Sequence, residues 1–379
     1  MIKRQGGIFS FTVLALLLLL LPTGGFSAWT WTEGLRWFYL FVIAMSAVFL
    51  LAPASGLLAL RIGAMDIPDA RKVHSMPVPR VGGAAIYLAF MLAVLRNQQF
   101  SREIYGMLLG GTIIFALGFL DDWKGLSAKT RLFWQVVAAL VVTFFGLHIT
   151  FTLKLPFGTE LSTALTVLWL VGIINAFNFM DGIDGLASSM GAVCALLFLG
   201  IGWHSEQYPL SFISAALAGA CFGFLRMNWR PAKVFLGDSG STFIGFILGC
   251  LALYGSWATN NRAVSLSTPL LVLGIPIFDI IYTTISRVRN GSVTNVKEWL
   301  EYAGKDHFHH RLMKLGLSVE QTVGFIVLLN ICIGLGAWTV RHTVSTLSTW
   351  LLLTQSVLIF LIVIVLMLLG RDITEDKKG

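Results

Sequence analysis

Long apolar stretches recur along the chain and are separated by short polar segments. A helix needs roughly 20 mostly apolar residues to cross a bilayer, so stretches of this length predict membrane-spanning helices. We place eleven of them at 36–60, 81–96, 105–120, 132–148, 161–180, 185–203, 209–226, 240–258, 264–286, 320–340 and 347–370. The pattern predicts an all-α fold, a polytopic membrane helical bundle.

A further apolar run over residues 8–21 follows two basic residues near the start of the sequence. It predicts either a short twelfth span or a signal-like segment cleaved near 25–28, and we favour the span. No internal repeat, low-complexity segment or long linker divides the remainder. We therefore expect an N-terminal hydrophobic segment over 1–35, one integral membrane domain over 36–370 and a cytosolic tail over 371–379.

Composition supports the membrane assignment. Hydrophobic residues make up 56% of the chain and charged residues 12%, with a mean hydropathy of +0.80, which is unlike a soluble domain. The cysteines all fall inside predicted spans, which favours small buried side chains over a disulfide or a redox site. They are Cys194, Cys221, Cys250 and Cys332.

Basic residues are distributed unevenly between the two faces that the eleven spans define. From residue 40 onward, one face carries nineteen lysines and arginines and the other carries five. Because basic loops are retained in the cytosol, we expect the rich face, here called the basic face, to be cytosolic. The formal charge of +8 then reflects anionic lipids and anionic substrates rather than nucleic acid.

Aspartates at the ends of predicted spans give the basic face its chemistry. Five occur there in a chain with only 19 acidic residues: Asp121, Asp122, Asp181, Asp184 and Asp238. A charge next to hydrocarbon is unfavourable unless it faces a cavity, a partner or a metal ion. These carboxylates are therefore candidate functional residues.

The segment 175–187, NAFNFMDGIDGLA, joins carboxamides to carboxylates. Asn175, Asn178 and Asp181 are three residues apart, so on a helix they form one polar stripe. Together with Asp184 they offer oxygens that bind a hard cation or position a hydroxyl-rich ligand. The alternative is an ordinary Asp-Gly turn with asparagine caps, which does not need four polar side chains at the membrane.

Two further acidic motifs flank predicted spans. Adjacent carboxylates such as Asp121 and Asp122 repel each other unless a cation relieves them, which favours Mg²⁺ over a solvated helix end. In FLGDSGS, residues 235–241, Asp238 lies between glycines just before a helix. Nearby basic residues favour a phosphate site with a bridging cation there over a simple N-cap.

The segment HFHHRL, residues 307–312, concentrates three of the seven histidines. Imidazole and guanidinium groups here are suited to donate hydrogen bonds to phosphate or sugar oxygens. A zinc site and a solvated surface are the alternatives. No cysteine lies nearby and the spacing matches no helical zinc motif, so zinc is disfavoured.

Oxygen ligands, helix-end anion sites and cationic side chains beside the lipid phase together suit phosphoryl transfer to a lipid acceptor. Six blocks carry a resemblance to one family: DIPDARKVH, PRVGG, FLDD, NAFNFMDGIDGLA, FLGDSGS and HFHHRLMKLGLS. Over about residues 36–370 the chain resembles the polyprenyl-phosphate N-acetylhexosamine-1-phosphate transferases, and within them the GlcNAc-1-phosphate enzymes. Gly304 departs from the pattern, where the resemblance implies an aspartate, and Asp306 is the nearest substitute.

The resemblance implies transfer of a sugar 1-phosphate from a UDP-N-acetylhexosamine to undecaprenyl phosphate, with release of UMP. UDP-GlcNAc is the expected donor, and another UDP-N-acetylhexosamine or UDP-MurNAc-pentapeptide is the alternative. It also implies Mg²⁺, with Mn²⁺ as a substitute, and an active site on the cytosolic face of a bacterial inner membrane. A homodimer is left open.

The same resemblance implies three groups of site residues. The catalytic group is Asp121, Asp122, Asp181 and Asp184. The substrate-binding group is Lys72, Asn175, Asn178, His307, His309, His310 and Arg311. The metal ligands are Asp238 and Asp122.

Two rival functions fit a multispan chain with acidic residues, namely a secondary transporter and an intramembrane hydrolase that uses paired aspartates. Transporters place ionisable groups near mid-membrane and often show repeated halves. Here the acids cluster at one face and no repeat is found, so the transferase is favoured.

Overall fold

The computed structural model describes residues 24–67, 76–97, 100–150, 156–258, 261–295, 298, 304, 306–342 and 346–375. The first helices are α1 (Gly24–Thr32), α2 (Arg36–Ile62), α3 (Gly83–Asn97), α4 (Arg102–Lys124), α5 (Ala128–Phe144), α6 (Gly158–Met180) and α7 (Leu186–His204). The others are α8 (Tyr208–Asn228), α9 (Gly237–Tyr254), α10 (Arg262–Val272), α11 (Gly274–Arg289), α12 (Phe308–Lys314), α13 (Val319–His342) and α14 (Thr346–Glu375). Two short strands, β1 (Met65–Asp66) and β2 (Val78–Pro79), pair antiparallel between α2 and α3.

The described helices confirm an all-α polytopic membrane protein. Eight of them are long and apolar enough to cross a membrane, and the bent pair of α10 and α11 makes a ninth if it crosses as one broken span. Two of the eleven predicted spans fall short of the roughly 20 residues that a bilayer crossing needs, since α3 has 15 residues and α5 has 17. Residues 1–23, which contain the predicted extra N-terminal span, lie outside the described residues.

Helices α7, α8 and α9 form the centre of the bundle, whereas α14 lies at its edge. In the central three, 78, 78 and 83% of the apolar window is buried, against 17% in α14. Lipid tails are as apolar as leucine, so helices in a membrane associate through close packing of small residues. A Cβ at Gly219 or Gly223 of α8 would meet the backbone of α2 at Phe41 or Met45, so these two helices are in backbone contact.

Two segments far apart in sequence are joined by backbone hydrogen bonds on the basic face. The amide of Phe235 donates to Pro79 at 2.8 Å, and Gly82 donates back to Phe235 at 3.1 Å. Gly83 then donates to Leu236 at 2.9 Å. The PRVGG and FLGDSGS motifs are thus one structural unit that delivers the N-terminus of α9 to the site.

The predicted continuous span over 264–286 is wrong, because α10 and α11 meet at an angle of 84°. Pro276 has no amide hydrogen, so it cannot bond the carbonyl of Val272 four residues earlier. That carbonyl instead accepts from Asn330 Nδ2 at 3.2 Å and from Cys194 Sγ at 3.3 Å. The oxygen of the fully buried Asn330 also accepts from the Ile275 amide at 3.5 Å.

Replacing Asn330 by leucine should destabilise the protein, because it removes the side chain that satisfies the backbone at the bend. Leaving buried backbone groups without a partner costs about 1–3 kcal/mol. We expect a lower midpoint of thermal unfolding in detergent. Cys332→Ala, at an exposed position of the same helix, is the control. Equal midpoints for both variants would show that Asn330 does not hold the bend.

Candidate active site

The centre of the site is the N-terminus of α9, which is capped by a carboxylate from another helix. Asp122, near the end of α4, accepts from the Asp238 amide at 2.9 Å and from the Ser239 amide at 3.0 Å. The Ser239 hydroxyl donates to the same carboxylate at 2.7 Å. A negative charge at a helix N-terminus satisfies unpaired amides and is favoured by the helix dipole. The buried Asp122 side chain of α4 therefore caps the N-terminus of a different helix, α9.

Two glycines make this close approach of α4 and α9 feasible. A Cβ at Gly118 would lie 2.6 Å from the backbone carbonyl of Asp238. Gly237 has φ +71°, and a Cβ there would meet the Arg80 carbonyl and lie 2.6 Å from the Asp122 carboxylate. Gly118 of α4 and Gly237 of FLGDSGS therefore allow backbone amides to reach a carboxylate.

The Asp238 side chain points away from the cap and toward α5 and α6. Its Oδ1 accepts from Asn178 Nδ2 at 3.0 Å, and its Oδ2 accepts from Arg131 Nη1 at 3.3 Å. The same Arg131 nitrogen donates to Asp121 Oδ2 at 3.1 Å. One guanidinium thus bridges two carboxylates from different helices. Arg131 is not among the residues predicted from the sequence, although its loop lies on the basic face.

Asp181 brings a further carboxylate to the cluster from the C-terminal end of α6. Burial raises its pKa well above the ordinary aspartate value, and the negative charges of Asp238 and Asp122 raise the pKa further. The Gly237 amide and Arg80 oppose this shift. A carboxylate so placed requires an additional positive charge to remain ionised.

Among the described residues, the carboxylates of this cluster outnumber the guanidinium groups that contact them. The carboxylates are Asp121, Asp122, Asp181 and Asp238, and the guanidinium groups that contact them are Arg80 and Arg131. With all four carboxylates ionised, the formal difference is two negative charges, which one divalent cation would neutralise. Among the described residues no group of three His, Cys, Asp or Glu is arranged to hold a metal ion. Mg²⁺ commonly needs only one or two carboxylates because it retains several waters, so these residues fit it.

Two predicted site residues have contacts outside this cluster. Asp184 accepts from the Ala232 amide at 3.1 Å and lies 3.8 Å from Arg230, so it holds the loop that precedes α9. Asn175 donates to Gln135 at 2.9 Å and thereby joins α6 to α5. Of the polar stripe predicted over 175–187, Asn178 and Asp181 are the members in contact with the carboxylate cluster.

Asn228, at the end of α8, is a site-supporting residue that the sequence analysis does not identify. Its Oδ1 accepts from the Gly185 amide at 3.2 Å and from the Ser188 hydroxyl at 2.9 Å. Its Nδ2 donates to the Val234 carbonyl at 3.1 Å. The only signal for this role is an asparagine directly after an apolar span, which is also common in caps.

The histidines lie against the turn that carries Asp181. The His307 ring lies 5.1 Å from the Phe179 ring, and the buried His309 packs on Gly182, where a Cβ would be 2.5 Å from its Nε2. Among the described residues, this Nε2 has no hydrogen-bond partner. His310 is partly exposed. One turn therefore carries both Asp181 of the carboxylate cluster and Gly182, on which His309 packs.

Other predicted residues of this region contact the protein itself. Arg311 is buried and donates to the backbone carbonyls of Asp306 and Met367, each at 2.8 Å, so it fastens α14 to α12. Asp306 binds Arg287 through both oxygens at 2.7 Å, so its carboxylate is engaged within the protein. Lys72 lies outside the described residues.

Comparison with known proteins agrees with this arrangement of motifs. The family model described as glycosyl transferase family 4 matches residues 104–256, which contain the Asp121–Asp122 pair, the asparagine and aspartate turn and the FLGDSGS motif. A Bacillus subtilis protein named probable undecaprenyl-phosphate N-acetylglucosaminyl 1-phosphate transferase is 33% identical over 319 residues. The match covers 82% of this chain and 87% of that relative.

Two further relatives extend the comparison. The decaprenyl-phosphate N-acetylglucosaminephosphotransferase of Mycolicibacterium smegmatis is 34% identical over 334 residues, which cover 78% of this chain and 80% of the relative. The undecaprenyl-phosphate alpha-N-acetylglucosaminyl 1-phosphate transferase of Escherichia coli is 29% identical over 285 residues, covering 71% and 74%.

Gly118→Ala should destabilise the protein, because the new Cβ would lie 2.6 Å from rigid backbone atoms at the start of α9. Overpacking of this kind costs about 1–3 kcal/mol. Gly172→Ala is the matched control, since a Cβ on that helical residue meets nothing within 4 Å. Thermal unfolding in detergent should therefore separate the two variants. Equal midpoints would contradict close contact between α4 and α9.

His309 should make stability depend on pH. Burial, together with the neighbouring His310 and His307, lowers its pKa well below 6.5 in the folded protein. Only the unfolded chain then gains a proton as the pH falls below about 6.5, so stability declines by up to about 1.4 kcal/mol per pH unit. Thermal unfolding of wild type and His309→Gln should give a difference that changes between about pH 7.5 and 5.5. A constant difference would show that the buried imidazole does not titrate in this way.

Proposed function

Because the chain belongs to glycosyl transferase family 4, we propose that it transfers N-acetylglucosamine 1-phosphate from UDP-GlcNAc to undecaprenyl phosphate and releases UMP. This reaction is the first membrane step of cell-surface polysaccharide synthesis. The observation that carries the proposal is the cluster of four carboxylates and two guanidinium groups around the N-terminus of α9. Such a cluster suits two phosphates that must approach each other.

The site faces the cytosol of a bacterial inner membrane in this proposal. The excess of basic residues on the face that carries the cluster supports this orientation. A nucleotide sugar made in the cytosol then reaches the site directly, while the lipid phosphate enters from the surrounding bilayer.

The lipid phosphate attacks the sugar-bearing β-phosphorus of the donor, and the bond to the UMP oxygen breaks. A phosphate monoester has a second pKa of about 6, so the nucleophile is mostly ionised at neutral pH and needs no strong base. Arg131 and Arg80 are placed to pair with phosphate oxygens. Asp121, which shares Arg131 with Asp238, orients the attacking phosphate. Asp122 is engaged as the cap of α9, so its role is to fix this geometry.

In this proposal Asp238 would hold the Mg²⁺, and Asp121 and Asp181 would be the neighbouring carboxylates. Asp238 is chosen over Asp122 because the Asp122 oxygens accept from backbone amides that fix the start of α9, whereas the Asp238 oxygens accept from the side chains of Asn178 and Arg131. When bound, the ion supplies positive charge that screens the two phosphates from each other. Mn²⁺ has similar oxygen preferences and should substitute.

The nucleotide sugar occupies the side of the cluster formed by Asn178 and Asp181, next to the histidines. His309 and His310 contribute imidazole nitrogens there. Other UDP-N-acetylhexosamines and UDP-MurNAc-pentapeptide remain alternative donors. A secondary transporter is the alternative from another class, and it is disfavoured because the acids meet at one end of the bundle.

Radiolabelled UMP release from purified protein tests this function. UDP-GlcNAc, UDP-GalNAc and UDP-MurNAc-pentapeptide should be compared, each with and without undecaprenyl phosphate. We expect release from UDP-GlcNAc only when the lipid phosphate is present. Release without lipid would indicate a hydrolase, and no release from any donor would overturn the proposal.

Asp238→Asn should lower turnover by at least about a hundredfold while the protein remains folded, because it removes charge without removing volume. The exposed Glu320→Gln on the same face is the control for loss of one acidic group. UMP release over a range of Mg²⁺ concentrations measures the effect. Wild-type turnover of Asp238→Asn at saturating Mg²⁺ would exclude this residue as the ligand.

A further inference from the structure

A network of charged side chains is buried where α11 meets α12. Asp279 and Arg287 lie on α11, and both are 3% exposed or less. His307 Nδ1 lies 2.7 Å from Asp279 Oδ2, and its Nε2 lies 3.1 Å from Arg287 Nη2. Arg287 also makes the two 2.7 Å bonds to Asp306. Four ionisable groups from two segments thus form one continuous chain of hydrogen bonds.

The chemistry of the partners determines the tautomer of His307. A guanidinium group only donates, so Nε2 of His307 must be the unprotonated acceptor. The proton then lies on Nδ1 and is donated to Asp279, which as a carboxylate only accepts. The second oxygen of Asp279 accepts from the Phe308 amide at 2.8 Å. Asp279 therefore fixes both the ring of His307 and the first amide of α12.

These contacts distinguish His307 from the other two histidines. Both of its ring nitrogens are engaged by protein groups, so it has no nitrogen to offer a ligand in this arrangement. His309 is buried, and its Nε2 lies against Gly182 and has no hydrogen-bond partner in the described part of the chain. The histidine segment thus has an anchored first member, His307, and a second, His309, that packs on the turn carrying Asp181. The His310 ring lies 4.2 Å from that of His309.

We propose that Asp279 and Arg287 lock His307 in the Nδ1-protonated tautomer. Asp279, Arg287 and His307 are thus positioning residues, which hold His309 and His310 against the Asp181 turn for binding of the nucleotide sugar. The inference rests on the proposed transferase function. It assigns to His307 a different role from the substrate contact predicted from the sequence. It also gives a role to the buried aspartate and the buried arginine of α11.

Asp279→Asn should disrupt the network without changing side-chain volume. An amide has one acceptor and one donor end, whereas Asp279 faces two donors. If the amide nitrogen faces Phe308, two donors oppose each other. If it faces His307, the ring must move its proton to Nε2, which then opposes Arg287. Either arrangement displaces the start of α12.

Steady-state kinetics of purified full-length variants test the positioning role. Asp279→Asn and Arg287→Lys should raise the KM for UDP-GlcNAc about tenfold or more and leave the KM for undecaprenyl phosphate within about twofold. Lysine cannot serve Asp306 through two parallel bonds and also reach His307. Arg289→Lys, at an exposed position on the same helix, is the matched control and should behave as wild type. Equal changes in both KM values, or none, would overturn the proposal.

A pair of substitutions at His307 separates positioning from substrate contact. Asparagine at this position retains an N–H near Nδ1 that can donate to Asp279, whereas alanine retains nothing. We expect His307→Asn to keep at least about tenfold more activity than His307→Ala. Equal loss in both variants would show that the ring itself contacts the substrate.

Nitrogen NMR of ¹⁵N-histidine-labelled protein tests the network without any enzymatic assay. The resonance pair that His307→Asn removes should show a protonated Nδ1 and an unprotonated Nε2, and Asp279→Asn should shift it. A protonated Nε2 at His307 would overturn the network even if transfer is confirmed. Absence of transfer by wild type together with the expected tautomer would instead contradict only the proposed function.

Discussion

The site depends on one interaction, the capping of the α9 N-terminus by the Asp122 carboxylate of α4. Three donors from Asp238 and Ser239 converge on this group. Hydrogen bonds to a charged group contribute on the order of 2 kcal/mol each, which offsets part of the cost of burying the charge. Because the cap holds the backbone of Asp238 toward α4, the Asp238 side chain is directed toward α5 and α6. The carboxylate cluster is a consequence of this direction.

The turn after α6 connects the cluster to the histidines. Asp181 faces Asp238, Gly182 leaves room for His309, and the Gly185 amide is bound by Asn228. The bend between α10 and α11 supports the opposite side, because it directs the polar residues of α11 toward α12. Backbone and buried polar contacts therefore fix the carboxylate cluster and the histidine segment relative to each other, although the two are far apart in sequence.

Much of this arrangement could be predicted from the sequence. The length of each apolar stretch identifies a span, and because the chain reverses direction at every span, every second loop lies on the same face. That reasoning groups Asp121, Asp122, Asp181, Asp184 and Asp238 on one face. Four of them meet, whereas Asp184 holds the loop before α9. The different roles of Asp122 and Asp238 could not be predicted from the sequence. An aspartate that caps a neighbouring helix and an aspartate that binds a metal ion can both lie at the end of a helix.

Other features depend on partners that sequence periodicity does not identify. A proline such as Pro276 can simply kink a continuous helix. Here the helix breaks, because the Asn330 carboxamide of α13 binds the backbone groups that the break leaves unpaired. From the sequence, Arg311 resembles a ligand-binding residue. It binds backbone carbonyls instead, because α14 packs on it. The separation of His307 from His309 likewise depends on α11, which contributes Asp279 and Arg287.

If the surplus negative charge around α9 is balanced by a divalent cation, that ion should be visible directly. An anomalous difference map from crystals grown with Mn²⁺ would locate it without reference to activity. We expect one peak within coordination distance of the Asp238 carboxylate, on the side of Asp121 and Asp181. A peak at the histidines, or none beside Asp238 at saturating Mn²⁺, would contradict the assignment of this cluster as the metal-dependent centre.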